Sequence, residues 1–270
     1  LSLWPLILIF LGLSMVSQRT WWSRLFGLII TIFVILLVVA AFLGGSNIVG
    51  VGLTGTVIEE SREVSDFSRI SLEGVGSMII EEGDEESLLV RADEALLPKI
   101  ETAILGDELT LKFANPLLQF LVLSDVEIEY VVTVKNIEEI NISGIGKVES
   151  QNLTGDKLEV SINGSGSALL HLNVGEFIAR ISGSGLYVVT GEVGRQIIHI
   201  SGSGKYLGLD ALSKETGIRV SGSGEVEVTV EDELNATISG SGKIRYKGEP
   251  YVSNSSISGS GSIEQFDDFL

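Results

Sequence analysis

Serine and glycine dominate the residues of this sequence that could do chemistry, and they recur at a fixed interval. ISGSG at 181–185 returns with small variations at 200–204, 220–224, 238–242 and 257–261. Hydroxyls on this scale suit nucleophilic attack only beside a general base, and no GxSxG elbow accompanies them. The histidines, His171 and His199, lie in different repeats, and neither has an HxH or HExxH partner. Imidazole ligands for zinc need such spacing, so no metal site is assigned to them. Glu81, Glu82, Asp84, Glu85 and Glu86 could offer oxygens to calcium, but in neither EF-hand nor repeat-loop order. They read as a solvated turn, and whether calcium binds there is left open.

GVGLTG at 50–55 matches the dinucleotide fingerprint letter for letter. It follows an apolar run rather than a strand, and no amphipathic helix comes after it, so it reads as a linker. Paired carboxylates for glycoside chemistry would have to converge on one face, whereas these acids are scattered over outward positions. Cysteine is absent, which removes disulfides, thiolate ligands and thiol nucleophiles. No catalytic residue, cofactor-binding residue or metal ligand is therefore assigned, and the chain reads as a non-enzyme.

The net charge of −18 is unevenly spread. Residues 1–50 carry Arg19 and Arg24 and no acid, whereas the rest holds 16 basic and 36 acidic residues. Such an acidic body lacks the clustered cations that neutralise phosphates, which excludes nucleic acid as a partner. LFGLIITIFVILLVVAAFL at 25–43 is uncharged over nineteen positions, about enough to cross roughly 30 Å of hydrocarbon. Residues 1–16 are also apolar, and SQRTWWSR between the two has the arginines and tryptophans of a cytoplasmic interface. The expectation is a transmembrane α-helical hairpin over 1–46, with spans at about 1–16 and 25–44. A linker at 47–55 follows, and everything after about residue 46 lies outside the cell membrane. The chain starts at Leu1, so the first span could be truncated.

The elements that carry the serines follow from the interval. The first glycine of each motif falls at Gly144, Gly164, Gly183, Gly202, Gly222, Gly240 and Gly259, the second at Gly146, Gly166, Gly185, Gly204, Gly224, Gly242 and Gly261. Spacings of 20, 19, 19, 20, 18 and 19 mean a stacked solenoid. LEGVGSMII at 72–80 is an earlier, degenerate copy. Two residues before the first glycine stand Ile142, Ile162, Ile181, Ile200, Val220, Ile238 and Ile257, all β-branched. Alternation continues on either side, the period-2 signature of a half-buried strand.

The predicted fold is all-β: a single-stranded parallel β-solenoid of ~19-residue coils, preceded by the membrane hairpin. Each coil is expected to run strand, SGSG, strand of four to six residues, and return turn. Parity places both glycines inward and both serines outward. Residues 56–140 form the N-terminal capping part, with a hairpin turn at EEGDEES, a helical turn in DEALLPKIE and a strand at ELTLKF. Residues 141–270 form the regular coils, closed by the acidic tail EQFDDFL.

The outward serines Ser182, Ser184, Ser201, Ser203, Ser221, Ser223, Ser239 and Ser241 then form two parallel columns, continued by Ser258 and Ser260. This hydroxyl sheet is the candidate recognition surface for a cell-wall glycan, an envelope protein or another protomer.

SDFSRISLEGVGSMIIEEGDEESLLVRADEALLPKIE and VEIEYVVTVKNIEEINISGIGKVESQNLTGDKLEVSINGSGSALL, with the repeated SGSG, resemble the putative auto-transporter adhesin head, or GIN, domain over roughly 56–265. The resemblance implies a bacterial extracytoplasmic β-solenoid without established catalytic residues. WPLILIFLGL, the basic turn and the second span resemble the membrane portion of LiaF-type envelope-stress proteins. Three functions follow as expectations: a membrane-anchored adhesion or envelope module, an envelope-stress accessory acting through its membrane region, and a polysaccharide-active β-helix enzyme.

Overall fold

The computed structural model describes residues 54–114 and 127–266, and the expected membrane hairpin and most of the expected linker lie outside them. Among the described residues no helix is long and apolar enough to cross a membrane. The chain divides into two compact units, Leu1–Gly52 and Leu53–Leu270. The second is an all-β parallel solenoid, and every described strand joins one sheet.

Its N-terminal part uses β1 (Val57–Arg62), β2 (Arg69–Gly74), β3 (Ser77–Glu82), β4 (Ser87–Asp93), β5 (Ile100–Leu105), β6 (Glu108–Phe113) and β7 (Glu129–Val134). A 3-10 turn, Leu97–Lys99, precedes β5 where DEALLPKIE was expected to turn. β2 and β3 form a true coil around the degenerate motif, and Gly74 stands in register with Gly144. On the far side of that coil, β6 runs parallel to β2 and β7 parallel to β3. β5 and β4 then close these two strands antiparallel, and β1 closes β4.

The expected hairpin at EEGDEES is therefore not formed. β7 enters between β3 and β4, which makes the turn a crossover. The physical reason is the core. Tyr130, Val132 and Val134 of β7 continue the inward row of Met78 and Ile80, and Leu88 and Val90 of β4 extend it further. A directly paired β3–β4 hairpin would leave that row uncovered. At this end β1 and β5 are the edge strands, each antiparallel to its one neighbour.

Asp93, at the end of β4, ties the chain's entry to this cap. Its carboxylate accepts the N–H groups of Thr54 at 3.2 Å, Gly55 at 2.8 Å and Ala95 at 2.9 Å, and the Thr54 hydroxyl at 3.2 Å. Burial alone would raise its pKa, but these donors outweigh burial and hold it below the ordinary carboxylate value. A depressed folded pKa gives stability that is present above the unfolded value, about 3.9, and is lost as pH falls through the folded one. Asp93→Asn is thus expected to flatten the acid limb of stability. The urea midpoint followed from pH 5 to pH 2 checks this, and a limb as steep as in the wild type contradicts it.

The regular coils are β8 (Glu139–Gly144), β9 (Lys147–Gly164), β10 (Ser167–Gly183), β11 (Leu186–Gly202), β12 (Lys205–Gly222) and β13 (Glu225–Gly240). β14 (Lys243–Lys247), β15 (Tyr251–Gly259) and β16 (Ser262–Gln265) follow. The short strands and return turn expected from sequence are replaced by single strands of 16 to 18 residues that run from one SGSG to the next. Pairing persists around the coil because bulges absorb the return, for example between Leu170 and Leu172 and between Val188 and Thr190.

Inside the rod, the β-branched column holds as expected from Ile142 to Ile238, with no member more than 3% exposed. Its last rung, Ile257, is 44% exposed on β15, the edge coil. Beyond the bend the inward column contains Tyr187 and Tyr206, both fully buried, with ring centroids 5.8 Å apart. Phe177 meets Tyr187 edge-on at 6.3 Å. Of the tail, Glu264 and Gln265 end β16, Phe266 lies under Arg245 and Lys247, and residues 267–270 lie outside the described residues.

Candidate functional site

The bend is built by the two glycines for two different reasons. The first, at Gly183, has φ of +125° and is half-buried, so it is not the inward position that simple alternation predicts. A Cβ there would stand 2.4 Å from the Gly164 carbonyl oxygen of the coil below. That same oxygen accepts the Ser184 N–H at 2.8 Å, so the ladder bond and the missing side chain compete for one space. The second, Gly185, is buried, and its Cβ would meet Cγ2 of Ile162 at 2.7 Å. It clears room for the isoleucine of the preceding coil.

The bond repeats up the rod: Ser203 N–H to Gly183 O, Ser223 N–H to Gly202 O and Ser241 N–H to Gly222 O, each at 2.8 Å. Serine backbones are consequently fixed, while their side chains point away from the ladder. Ser182, Ser201, Ser221 and Ser239 are in direct register, as are the glycines beside them. These four serines, with Ser184, Ser203, Ser223 and Ser241, are exposed. Rungs about 4.8 Å apart make two straight files of hydroxyls on a rigid backbone. Among the described residues these hydroxyls make no bond with one another or with other side chains. Their hydrogen-bonding capacity faces outward, which suits polar ligands with many hydroxyls of their own.

The remaining candidates from sequence do not converge. His171 lies after the bend, where Nδ1 is 2.8 Å from the Thr190 hydroxyl. His199 lies before the bend, on another face of the coil, and pairs with Arg180 and Arg219 on the adjacent strands. Burial first, then the charges of Arg180 and Arg219, hold its pKa below the ordinary histidine value. In the acidic turn, Glu82 accepts Thr154 and Glu86 accepts the Asp66 N–H at 2.6 Å, so both carboxylates serve the fold. Among the described residues no group of three acids or histidines could hold a metal ion.

Sequence reasoning passed over the column to which His199 belongs. The position three before the first glycine reads Asn141, Ser161, Arg180, His199, Arg219, Thr237 and Ser256. The same alignment that exposed the isoleucines contained it. Also passed over were Tyr187 and Tyr206, each four residues after a first glycine, where inward parity and the LYVV and KYLG contexts carried the signal.

The described architecture is a parallel solenoid whose bend presents an ordered, exposed hydroxyl face and whose N-terminal end is capped by antiparallel strands. The chain belongs to the family described as putative auto-transporter adhesin, head GIN domain, whose model matches residues 66–250. Solved structures share the fold. A putative adhesin from Bacteroides fragilis superposes with a TM-score of 0.69 at 20% identity, covering 79% of this chain and 99% of that one. A putative lipid binding protein from Parabacteroides distasonis gives 0.64 at 24% identity, covering 79% and 98%. A putative adhesin from Parabacteroides merdae gives 0.61 at 22% identity, with the same coverage. No curated protein matches the chain.

Proposed function

We propose that this chain is a non-enzymatic, membrane-anchored module of the bacterial cell envelope, whose serine files recognise a glycan of the cell wall. One observation carries the reading: exposed hydroxyls in strict register, held on backbones whose N–H groups are already used. A flat file of hydroxyls needs no reorganisation to meet a sugar, so little ordering cost offsets the hydrogen bonds gained. The family's adhesin description and the uncharged stretch at 25–43 agree with a surface module tethered to a membrane.

The test is capture of purified cell wall and of arrayed glycans by the full chain, compared with a variant in which Ser201, Ser203, Ser221 and Ser223 are all lysine. These positions are exposed, so each change should alter stability by no more than about 0.5 kcal/mol. Capture is expected to fall at least about tenfold, because four adjacent hydroxyls are lost and bulky cations cover the file. Equal capture by a folded variant would remove the serine face from the account.

A further inference from the structure

Arg180, His199 and Arg219 occupy one outward column on three consecutive strands, immediately beside the first serine file. Parallel register stacks them at about 4.8 Å per rung. Ser182, Ser201 and Ser221 are the next outward positions on the same strands, about 6.6 Å further on. Arg180 gives Nε to Glu159 Oε1 at 2.6 Å and leaves its terminal amino groups without a partner among the described residues. Arg219 is exposed and makes no ion pair or hydrogen bond among the described residues. Most other cations of the coils are matched, Lys157 and Arg195 with Glu176, Lys205 and Arg245 with Glu225, and Lys243 with Glu264; Lys214, exposed on β12 and outside this column, also makes no ion pair among the described residues.

The column therefore holds two guanidinium groups with one carboxylate, Glu159, against them, in a chain whose net charge is −18. Planar guanidinium forks bind phosphate and sulfate oxygens through paired N–H donors. The half-buried imidazole between them supplies a further donor without adding a third permanent charge. Strong acidity elsewhere repels polyanions in general, so only a local, well-placed anion would gain from this column.

We propose that Arg180, His199 and Arg219 form an oxyanion site that takes phosphate or sulfate esters carried on an envelope polymer, with Ser182, Ser201 and Ser221 completing the contact. The proposal rests on the reading of the serine files as a recognition surface and names the chemistry of the ligand.

The chain's two histidines make the test direct, because His171 on another face serves as the internal control. In the full chain, with histidine ring carbons labelled, NMR would follow both imidazoles during titration with inorganic phosphate, polyphosphate and a sulfated polysaccharide. His199 should shift saturably while His171 stays fixed. Arg219→Gln, at an exposed position, should weaken the response about tenfold, the loss of one charge-assisted contact. Arg195→Gln, where the cation already sits between Glu176 and Glu215, should leave it unchanged. An unresponsive His199, or a response equal in wild type, Arg180→Gln and Arg219→Gln, overturns the proposal. Capture of neutral glycans with a silent His199 overturns the oxyanion site alone. A responsive His199 without cell-wall capture supports the site and overturns the envelope-recognition reading.

Discussion

Gly183→Val is expected to lower the stability of the solenoid by about 4 kcal/mol or more, against no more than about 0.5 kcal/mol for the adjacent Ser184→Ala. Two independent costs fall on the same atom. With φ of +125°, Gly183 adopts a backbone conformation in which a β-branched residue is strained. Its Cβ would also stand 2.4 Å from the Gly164 carbonyl, which has no freedom to retreat because it holds the Ser184 N–H. Relief requires opening the ladder between two coils, and each coil is stable only against its neighbours. Ser184 points its side chain into solvent, so truncating it removes a solvated hydroxyl and little else. Thermal or urea unfolding of the two variants side by side is decisive, and comparable shifts would contradict the assignment of the bend.

Tyr206→Ala carries the next largest effect, a loss of about 3–5 kcal/mol. The ring is fully buried, lies against Tyr187 at a 40° tilt and fills space that Gly208 vacates, since a Cβ on Gly208 would lie 2.6 Å from the Tyr206 ring. Its hydroxyl donates to Gln196 Oε1 at 2.7 Å inside the core. Tyr206→Phe keeps the packing and orphans a buried acceptor, so about 1–3 kcal/mol is expected there. Gln196 Nε2 is already without a protein partner, which leaves the amide no alternative bond among the described residues. Unfolding midpoints that rank alanine well below phenylalanine, and phenylalanine below wild type, check both parts. A phenylalanine variant as stable as the wild type would show that the Tyr206–Gln196 bond contributes nothing.

Much of the regular coil was legible in the sequence because one period governs it. Alignment on the first glycine identifies the inward isoleucines and the outward serines directly, and the parallel register keeps every rung in that alignment. Parity failed at Gly183 because counting by twos assumes extended backbone, and a positive φ breaks the alternation there. The return turn was misread for a related reason: bulges shift register without ending a strand, and a bulge has no strong composition. The cap was the least legible part. Its key pairing joins β3 to β7 across some fifty residues, so nothing local in EEGDEES distinguishes a crossover from a hairpin. The column of Arg180, His199 and Arg219 was readable from the same alignment, but three different residue types conceal a column that the eye finds only when one letter repeats.

The central claim, that the serine files are where the envelope polymer binds, has a direct measurement because the chain contains no cysteine. Single Ser203→Cys and Glu192→Cys variants of the full chain, both at exposed positions, would be labelled with a maleimide in the presence and absence of purified cell wall. Ser203→Cys should be protected by cell wall while Glu192→Cys reacts at an unchanged rate. Protection of Glu192→Cys instead, or of neither position while cell wall is demonstrably bound, would contradict the account and move the contact to another face of the coil.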